Sequence, residues 1–444
     1  MKRFFRQLYL TTFTFYVLGG VVALFAFAFF FPRLYLAAQF AFFVYVGLIL
    51  LDIVLLFRTS EGVTGERTLP EKFSNGDENP VTVKLVSRYP FTVKVRVIDE
   101  LPEQFQLRDF GITRTVDGMA QDTFRYYLRP VKRGEYSFGV LNLMVTSPLR
   151  FAMRRFQSGA DAMVPVYPSF IQLRKYDLMA FSNQLVQYGI KRIRKLGHTM
   201  EFEQIKEYVQ GDDIRTLNWK ATAKKNSLMV NQFQDEKSQT VYMVIDKGRQ
   251  MQMPFNGLSL LDYAINASLV LSNVILKKHD RAGLFSFSKT VENRVAAEKR
   301  SSQMERILEA LYAVKTDFFE SDFGRLYADI KRNVNHRSLV MLYTNFDTLD
   351  GLNRQLPYLR GIAKNHLLVV VFFHNTELDR MSKEKAGNVQ EIYDKVIAEK
   401  FIFEKKLIVT ELKKYGIHSV LTFPEQLTLD TINKYLEIKA RGIL

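Results

Sequence analysis

Two long uncharged stretches at the start of the chain constrain its folding more than any other feature. From Tyr9 to Phe31 there is no charged residue, a run long enough to cross the roughly 30 Å hydrocarbon core of a bilayer as a helix. Pro32 and Arg33 mark a tight turn, and a second apolar run from Leu34 to Phe57 is broken only by Gln39 and Asp52. The pattern predicts two membrane helices within residues 1–58. A cleaved signal peptide is shorter, ends in a small-residue cleavage pattern and is not followed at once by another span. Lys2, Arg3 and Arg6 precede the first run, Arg58, Arg67 and Lys72 follow the second, and only Arg33 lies between. The positive-inside rule therefore places both ends in the cytoplasm. The expectation is a multi-pass protein of the inner (cytoplasmic) membrane with its soluble domains on the cytoplasmic side. Asp52 lies about one and a half turns before Arg58, so it is expected at the inner interface, hydrated or paired, rather than in a transport path.

The rest of the 444 residues reads as ordinary charged globular protein, long enough for two or three domains. The chain has no cysteine, which removes disulfides, thiol nucleophiles and sulfur-ligated zinc. Its net charge of +16 suits anionic lipid or an acidic protein partner better than nucleic acid in a membrane-anchored chain. Residues 59–175 read as a β-rich, sandwich-like domain. Val81–Val86 and Phe91–Val97 alternate apolar and polar residues about a Tyr89-Pro90 turn, and Thr123–Leu128 and Tyr136–Val145 repeat the pattern. Residues 241–444 change character. Apolar strands at Val241–Ile245, Ala282–Phe287, Leu339–Tyr343 and Leu367–Phe373 alternate with helical spacing at Leu258–Leu276 and Gln303–Val314. Strands apolar on both faces, alternating with helices, predict a doubly wound parallel sheet. Its ligand crevice is expected at the carboxyl ends of the strands, beside Asp246 and the Thr344–Asp347 turn.

Residues 176–240 form a linker that holds the most distinctive stretch of the chain, Glu201 to Ala223, with the only tryptophan. This stretch resembles the signature of the bacterial domain-of-unknown-function 58 family. Glu201, Phe202, Glu207, Tyr208, Gly211, Asp212, Arg215, Trp219 and Ala223 fall in place, while Lys206 and Lys224 stand where the signature has arginine and lose its planar fork. The resemblance implies two N-terminal spans, a β-rich region and a C-terminal domain similar to von Willebrand factor A. It also implies a partner, a MoxR-type AAA+ ATPase, acting in the assembly or maturation of other complexes. Glu207, Tyr208, Gly211, Asp212, Arg215 and Trp219 are candidates for a partner surface or an inter-domain brace, with the brace expected for Trp219 and the partner role for Arg215.

Domains similar to von Willebrand factor A often hold Mg²⁺ with an Asp-x-Ser-x-Ser loop plus a Thr and an Asp from later loops. The corresponding loop here reads Asp246-Lys247-Gly248-Arg249-Gln250, so only the aspartate survives. Ser321 and Asp347 are the remaining candidate oxygen ligands of a degenerate site, with Asn345 where an aspartate is implied. Lys247 and Arg249 add positive charge, so no metal and no other cofactor is expected. Lys191, Arg192, Arg194 and Lys195 form a basic surface cluster suited to anionic lipid headgroups. No Gly-rich phosphate loop, serine elbow, histidine metal pair or paired acid–base motif is present in the sequence. The expected function is a membrane-anchored, non-enzymatic adaptor. The alternative is a divalent-metal-dependent ligand-binding domain.

Overall fold

The computed structural model describes residues 2–108, 110–159, 161–171, 201–210, 212, 214–234 and 238–443. The chain divides into two compact units, Met1–Tyr167 and Pro168–Leu444. The apolar N-terminal helices and the β-rich region thus belong to one unit, where the sequence reading set a boundary after residue 58.

In the first unit the helices run Thr12–Phe30 and Tyr35–Phe57. The first starts later than the uncharged run does, because Leu8–Leu10 forms an edge strand antiparallel to Ala152–Ser158. Thr11 then caps the helix with its side-chain oxygen. A five-stranded antiparallel sheet follows the order Leu8–Leu10, Ala152–Ser158, Leu141–Thr146, Val93–Asp99 and Ile112–Val116. A three-stranded sheet holds Val63–Thr68, Asn79–Ser87 and Gln121–Leu128. Alternation along these strands sends Val81, Val83 and Leu85 from one sheet, and Val93, Val95, Leu143 and Val145 from the other, into one core. The single strand expected over Tyr136–Val145 is two, Gly134–Phe138 and Leu141–Thr146. They are broken at Gly139, where an added Cβ would lie 2.6 Å from the Glu100 carboxylate.

Asp52 is paired, the second of the two expected states, and its partners lie in the β-rich region. It is fully buried, and it accepts hydrogen bonds from the Ser147 hydroxyl and from the backbone N–H groups of Phe151 (2.8 Å) and Ala152 (2.7 Å). Four residues further on, the Leu56 carbonyl accepts from Arg154 Nη1 (2.8 Å) and the Tyr89 hydroxyl (2.7 Å). A helix end leaves its last carbonyls without intrahelical partners, and the β-rich region satisfies this one. The apolar helices are therefore braced against the sheet through specific polar contacts. Among the described residues three helices are long and apolar enough to cross a membrane, Thr12–Phe30, the segment Pro32–Phe57, and Leu260–Lys277. The third is a core helix of the second unit, largely buried against its sheet and opened by a Ser259–Asp262 capping box.

The second unit is built on a six-stranded sheet. The spatial order is Val291–Glu298, Arg281–Phe287, Thr240–Asp246, Leu339–Tyr343, Leu367–Phe373, His418–Thr422. All neighbours are parallel except the antiparallel edge pair Arg281–Phe287 and Val291–Glu298. Alternate residues of the central strand enter two cores. Val241, Met243 and Ile245 pack with helices Leu260–Lys277, Gln303–Ala313 and Leu427–Arg441. Tyr242 and Val244 pack with Phe323–Asn333, Leu349–Asn365 and Val389–Lys414. Helices thus cover both faces, as continuous apolar strands require.

Candidate functional site

Numbered along the chain, the sheet runs 3-2-1-4-5-6, and its direction of winding reverses between Thr240–Asp246 and Leu339–Tyr343. In such sheets a crevice opens at the carboxyl ends of the two strands on either side of that reversal. Asp246 ends one strand, and Thr344 follows the other.

The Asp246 side chain is buried and fully engaged. One carboxylate oxygen accepts from the Ser321 hydroxyl and from the Gly248 N–H at 2.8 Å. The other accepts from the Thr344 hydroxyl at 2.6 Å. Burial pushes its carboxyl above the ordinary range, against the opposite pull of Ser321, Thr344 and the Gly248 amide. The structure therefore brings Asp246 and Ser321 together. Asp347 is not bonded to them. It accepts from Asn345 Nδ2 at 3.2 Å and lines the cleft wall. Lys247, whose charge was expected beside the site, is buried and pairs with Glu292 (2.6 Å) and Asp317 (3.2 Å).

A divalent cation does not fit this arrangement. Mg²⁺ needs about six oxygen ligands in octahedral array. Both Asp246 oxygens already serve protein donors. A Cβ at Gly248 would lie 2.1 Å from Ser321 Oγ and 2.9 Å from the Phe319 carbonyl, so the loop is closed around the missing serine. The Asn345 side-chain oxygen Oδ1, at the position of the implied aspartate, accepts from Lys405 Nζ at 2.7 Å. Among the described residues no three His, Cys, Asp or Glu side chains are grouped to hold a metal.

Lys405, beside this cluster, does not stand out in the sequence. It is buried, donates also to the Phe346 carbonyl at 2.5 Å, and desolvation lowers its pKa to about 8, with Asp347 opposing the shift. A lysine in the run Glu404-Lys405-Lys406 reads as solvated. Yet the inward residues of its helix include Ala398, Lys405 and Leu412, a seven-residue spacing that marks position 405 as part of the seam.

The signature segment forms an antiparallel pair, Glu201–Glu207 with Met229–Gln234, joined through the short helix Trp219–Lys225. Asn218 caps that helix, accepting the Ala221 N–H at 3.0 Å, and Asn226 ends it in the left-handed conformation. Asp212 accepts from the Val209 N–H (3.0 Å) and Lys206 (2.9 Å), and these two contacts in that order hold its carboxyl below the usual range. Tyr208 donates its backbone N–H to the Leu228 carbonyl at 2.8 Å, and Glu207 is exposed. Trp219, expected as a buried brace, is 70% exposed. It is accompanied by Val209 (63%) and Ile214 (68%). Gly211, the side chain of Arg215 and the cluster Lys191, Arg192, Arg194 and Lys195 lie outside the described residues.

Residues 204–383, from the signature pair through the crevice, match the model of a family described as protein of unknown function DUF58. Over these residues the chain is similar to that family. A curated relative, the uncharacterized protein YeaD of Bacillus subtilis (strain 168), is 25% identical over 283 residues. The match covers 61% of this chain and 64% of that protein's own length. Among solved structures, the conserved hypothetical protein BatB from Bacteroides thetaiotaomicron aligns with 46% of this chain and all of its own, at 10% identity and a TM-score of 0.31. An aerotolerance-related membrane protein from Bacteroides fragilis gives the same coverages at 10% identity and a TM-score of 0.30. The CARDB domain of PF1109 from Pyrococcus furiosus aligns with 23% of this chain and 93% of its own, at 15% identity and a TM-score of 0.17. At these scores the architecture of the second unit rests on its own topology and register.

Proposed function

We propose that this protein is a membrane-anchored, non-enzymatic adaptor whose DUF58 signature presents a face to a protein partner. The observation that carries this reading is the exposure of Trp219, with Ile214 and Val209 of the same segment also exposed. A tryptophan held in solvent on a capped helix contributes little to folding, whereas tryptophan is among the residues that dominate interface energetics. The α/β unit is read as von Willebrand factor A-like: the 3-2-1-4-5-6 order with one antiparallel edge strand agrees with the domain implied by the family signature. The basic flanks of the apolar helices support a multi-pass anchor in the inner membrane with the soluble parts in the cytoplasm. The partner is a MoxR-type AAA+ ATPase, a reading that rests on the family resemblance. The non-enzymatic part of the reading is supported by the crevice's buried carboxylate, which is saturated by the Ser321 and Thr344 hydroxyls and the Gly248 N–H.

The test is co-purification from native membranes. Full-length protein should carry an AAA+ ATPase through solubilisation, and Trp219→Ala should lose it while keeping the wild-type melting temperature. A Trp219→Ala protein that retains the ATPase in full would sink the signature face as the docking surface.

A further inference from the structure

The long helix Val389–Lys414 is apolar on two opposite sides. Ala398, Ile408 and Leu412 are buried, and the last two enter the core with Val370 and Phe372 of the sheet. On the other side Val389, Ile392, Tyr393, Val396 and Phe403 are each more than half exposed. At about 3.6 residues per turn, spacings of three, four and seven keep these five in one stripe, and the half-buried Leu407 continues it. A helix on the surface of a globular unit needs one apolar side, and a second apolar side is left for something else to cover. The five side chains leave on the order of 500 Å² of apolar surface in water, given about 150–250 Å² for a whole aromatic side chain. Patches of that size on soluble units commonly serve interactions.

Charge and spacing indicate the occupant. Between residues 389 and 406 four carboxylates, Glu391, Asp394, Glu399 and Glu404, match four lysines. The helix therefore has no excess positive charge to hold it on an anionic bilayer. Glu399 and Lys400 sit side by side near its middle, both exposed, and among the described residues neither has an ion pair or a hydrogen bond. Lys395, by contrast, is tied to the Glu384 carbonyl at 3.3 Å. A two-fold axis passing between Glu399 and Lys400 makes this surface complementary to itself. With a second copy running antiparallel, Val396 comes level with that copy's Phe403 and Ile392 with its Leu407. Glu399 of each chain then meets Lys400 of the other.

We propose that this stripe is the interface of a homodimer, two Val389–Lys414 helices packing antiparallel about a two-fold axis between Glu399 and Lys400. Isologous interfaces are self-complementary in this way. Two stripes bury about 1,000 Å² of apolar surface before the polar rim is added, against the roughly 1,200–2,000 Å² of a stable protein pair. The two Glu399–Lys400 contacts fix direction and register more than they add affinity. A parallel pair in register sets Glu399 against Glu399 and Lys400 against Lys400, and that repulsion selects against it. The inference goes beyond the adaptor reading, since the helix begins after residues 204–383, the span similar to the family, and shares nothing with the signature face.

The experiment joins cross-linking to sizing of the full-length protein. The chain has no cysteine, so each single substitution reports on its own position. In native membranes under mild oxidation Lys400→Cys should form a disulfide-linked dimer, because position 400 lies beside the axis. Val389→Cys should not, because its two copies stand about 30 Å apart along the helices. Light scattering of the purified protein in mild detergent should give a dimer. Val396→Glu and Phe403→Glu should each raise its dissociation constant at least about tenfold while keeping the wild-type circular dichroism, since both positions are exposed. Glu399→Lys and Lys400→Glu should each weaken the dimer, and the two together should restore it by re-forming both pairs with the charges exchanged. A wild-type monomer at tens of micromolar, a dimer indifferent to Val396→Glu and Phe403→Glu, cross-linking through Val389→Cys as efficient as through Lys400→Cys, or a double variant without rescue would each overturn the proposal. A monomer that loses a different co-purifying protein in Val396→Glu would assign the stripe to that protein and overturn it as well. Trp219→Ala should leave the dimer intact, so this inference and the adaptor reading fail separately.

Discussion

Asp52 Oδ2, inside an apolar helix, accepts the backbone N–H of Phe151 at 2.8 Å, ninety-nine residues away in sequence. The same oxygen takes the Ala152 N–H, and its partner oxygen takes the Ser147 hydroxyl. An ionisable residue within a span usually signals transport or a proton path. Here it terminates a β-turn at the head of the strand Ala152–Ser158, and Thr14 of the first helix meets the same turn from the other side by donating to the Phe151 carbonyl. The helices therefore hold the β-rich region in one orientation.

Replacing Asp52 with Ala should orphan two buried N–H groups and a hydroxyl. Each such loss costs about 1–3 kcal/mol. Asp52→Asn keeps an acceptor and should lose much less. Thermal melts of the full-length protein in detergent check this, with proteolysis across residues 147–152 as a local readout. Equal stability of the two variants would mean that the contacts contribute nothing to the anchor.

The Asp246 cluster makes a second forecast. Asp246→Ala strands the Ser321 and Thr344 hydroxyls and the Gly248 N–H, so a loss of several kcal/mol is expected, whereas Asp246→Asn should be milder. Mg²⁺ should leave the wild-type melting temperature unchanged. A bound ligand at a hundred times its Kd would add about 2.7 kcal/mol, which is readily seen. A Mg²⁺-dependent rise that disappears in Asp246→Asn would show that the loop still holds a cation.

Lys405 links stability to alkaline pH. Its folded-state pKa of about 8 lies below the ordinary 10.5, so the unfolded chain binds more protons between those values. Stability should accordingly rise as pH increases from about 8 to 10.5. Below pH 8 the buried ammonium is charged in both states and its desolvation cost, on the order of 3 kcal/mol, is carried in full. Lys405→Met should remove this contribution to the slope. Chemical denaturation of both proteins at several pH values isolates it, and parallel curves would show that Lys405 does not titrate there.

How much of this was legible beforehand depends on the length scale of each signal. The sheet strands were plain because residues such as Val241–Ile245 are apolar on both faces, and the crevice followed from where those strands end. The partners of Asp52 were not legible, because Ser147, Phe151 and Ala152 are distant in sequence and two of them contribute only backbone amides. Thr344 was seen as part of a turn but not as a donor to Asp246, since that contact depends on the parallel register of two strands. Trp219 was expected inside on the general habit of tryptophan. The structure leaves it 70% exposed, a difference that composition alone could not signal.

The signature segment gives the last prediction, where folding and binding separate. Truncating a buried tryptophan costs about 3–5 kcal/mol, but at 70% exposure Trp219→Ala should stay within about 0.5 kcal/mol of wild type, as exposed positions do. Asp212→Ala should disturb more, because the Val209 N–H and Lys206 both lose an acceptor that closes the turn. Arg215→Ala is the informative companion, since it lies between Ile214 and the capped helix. If Arg215 contacts the partner, its variant should melt normally and lose the ATPase along with Trp219→Ala. Melts and pull-downs of all three variants, run side by side, decide the matter. A Trp219→Ala protein several degrees less stable than wild type would return the tryptophan to a bracing role, and binding loss in that variant would then report misfolding.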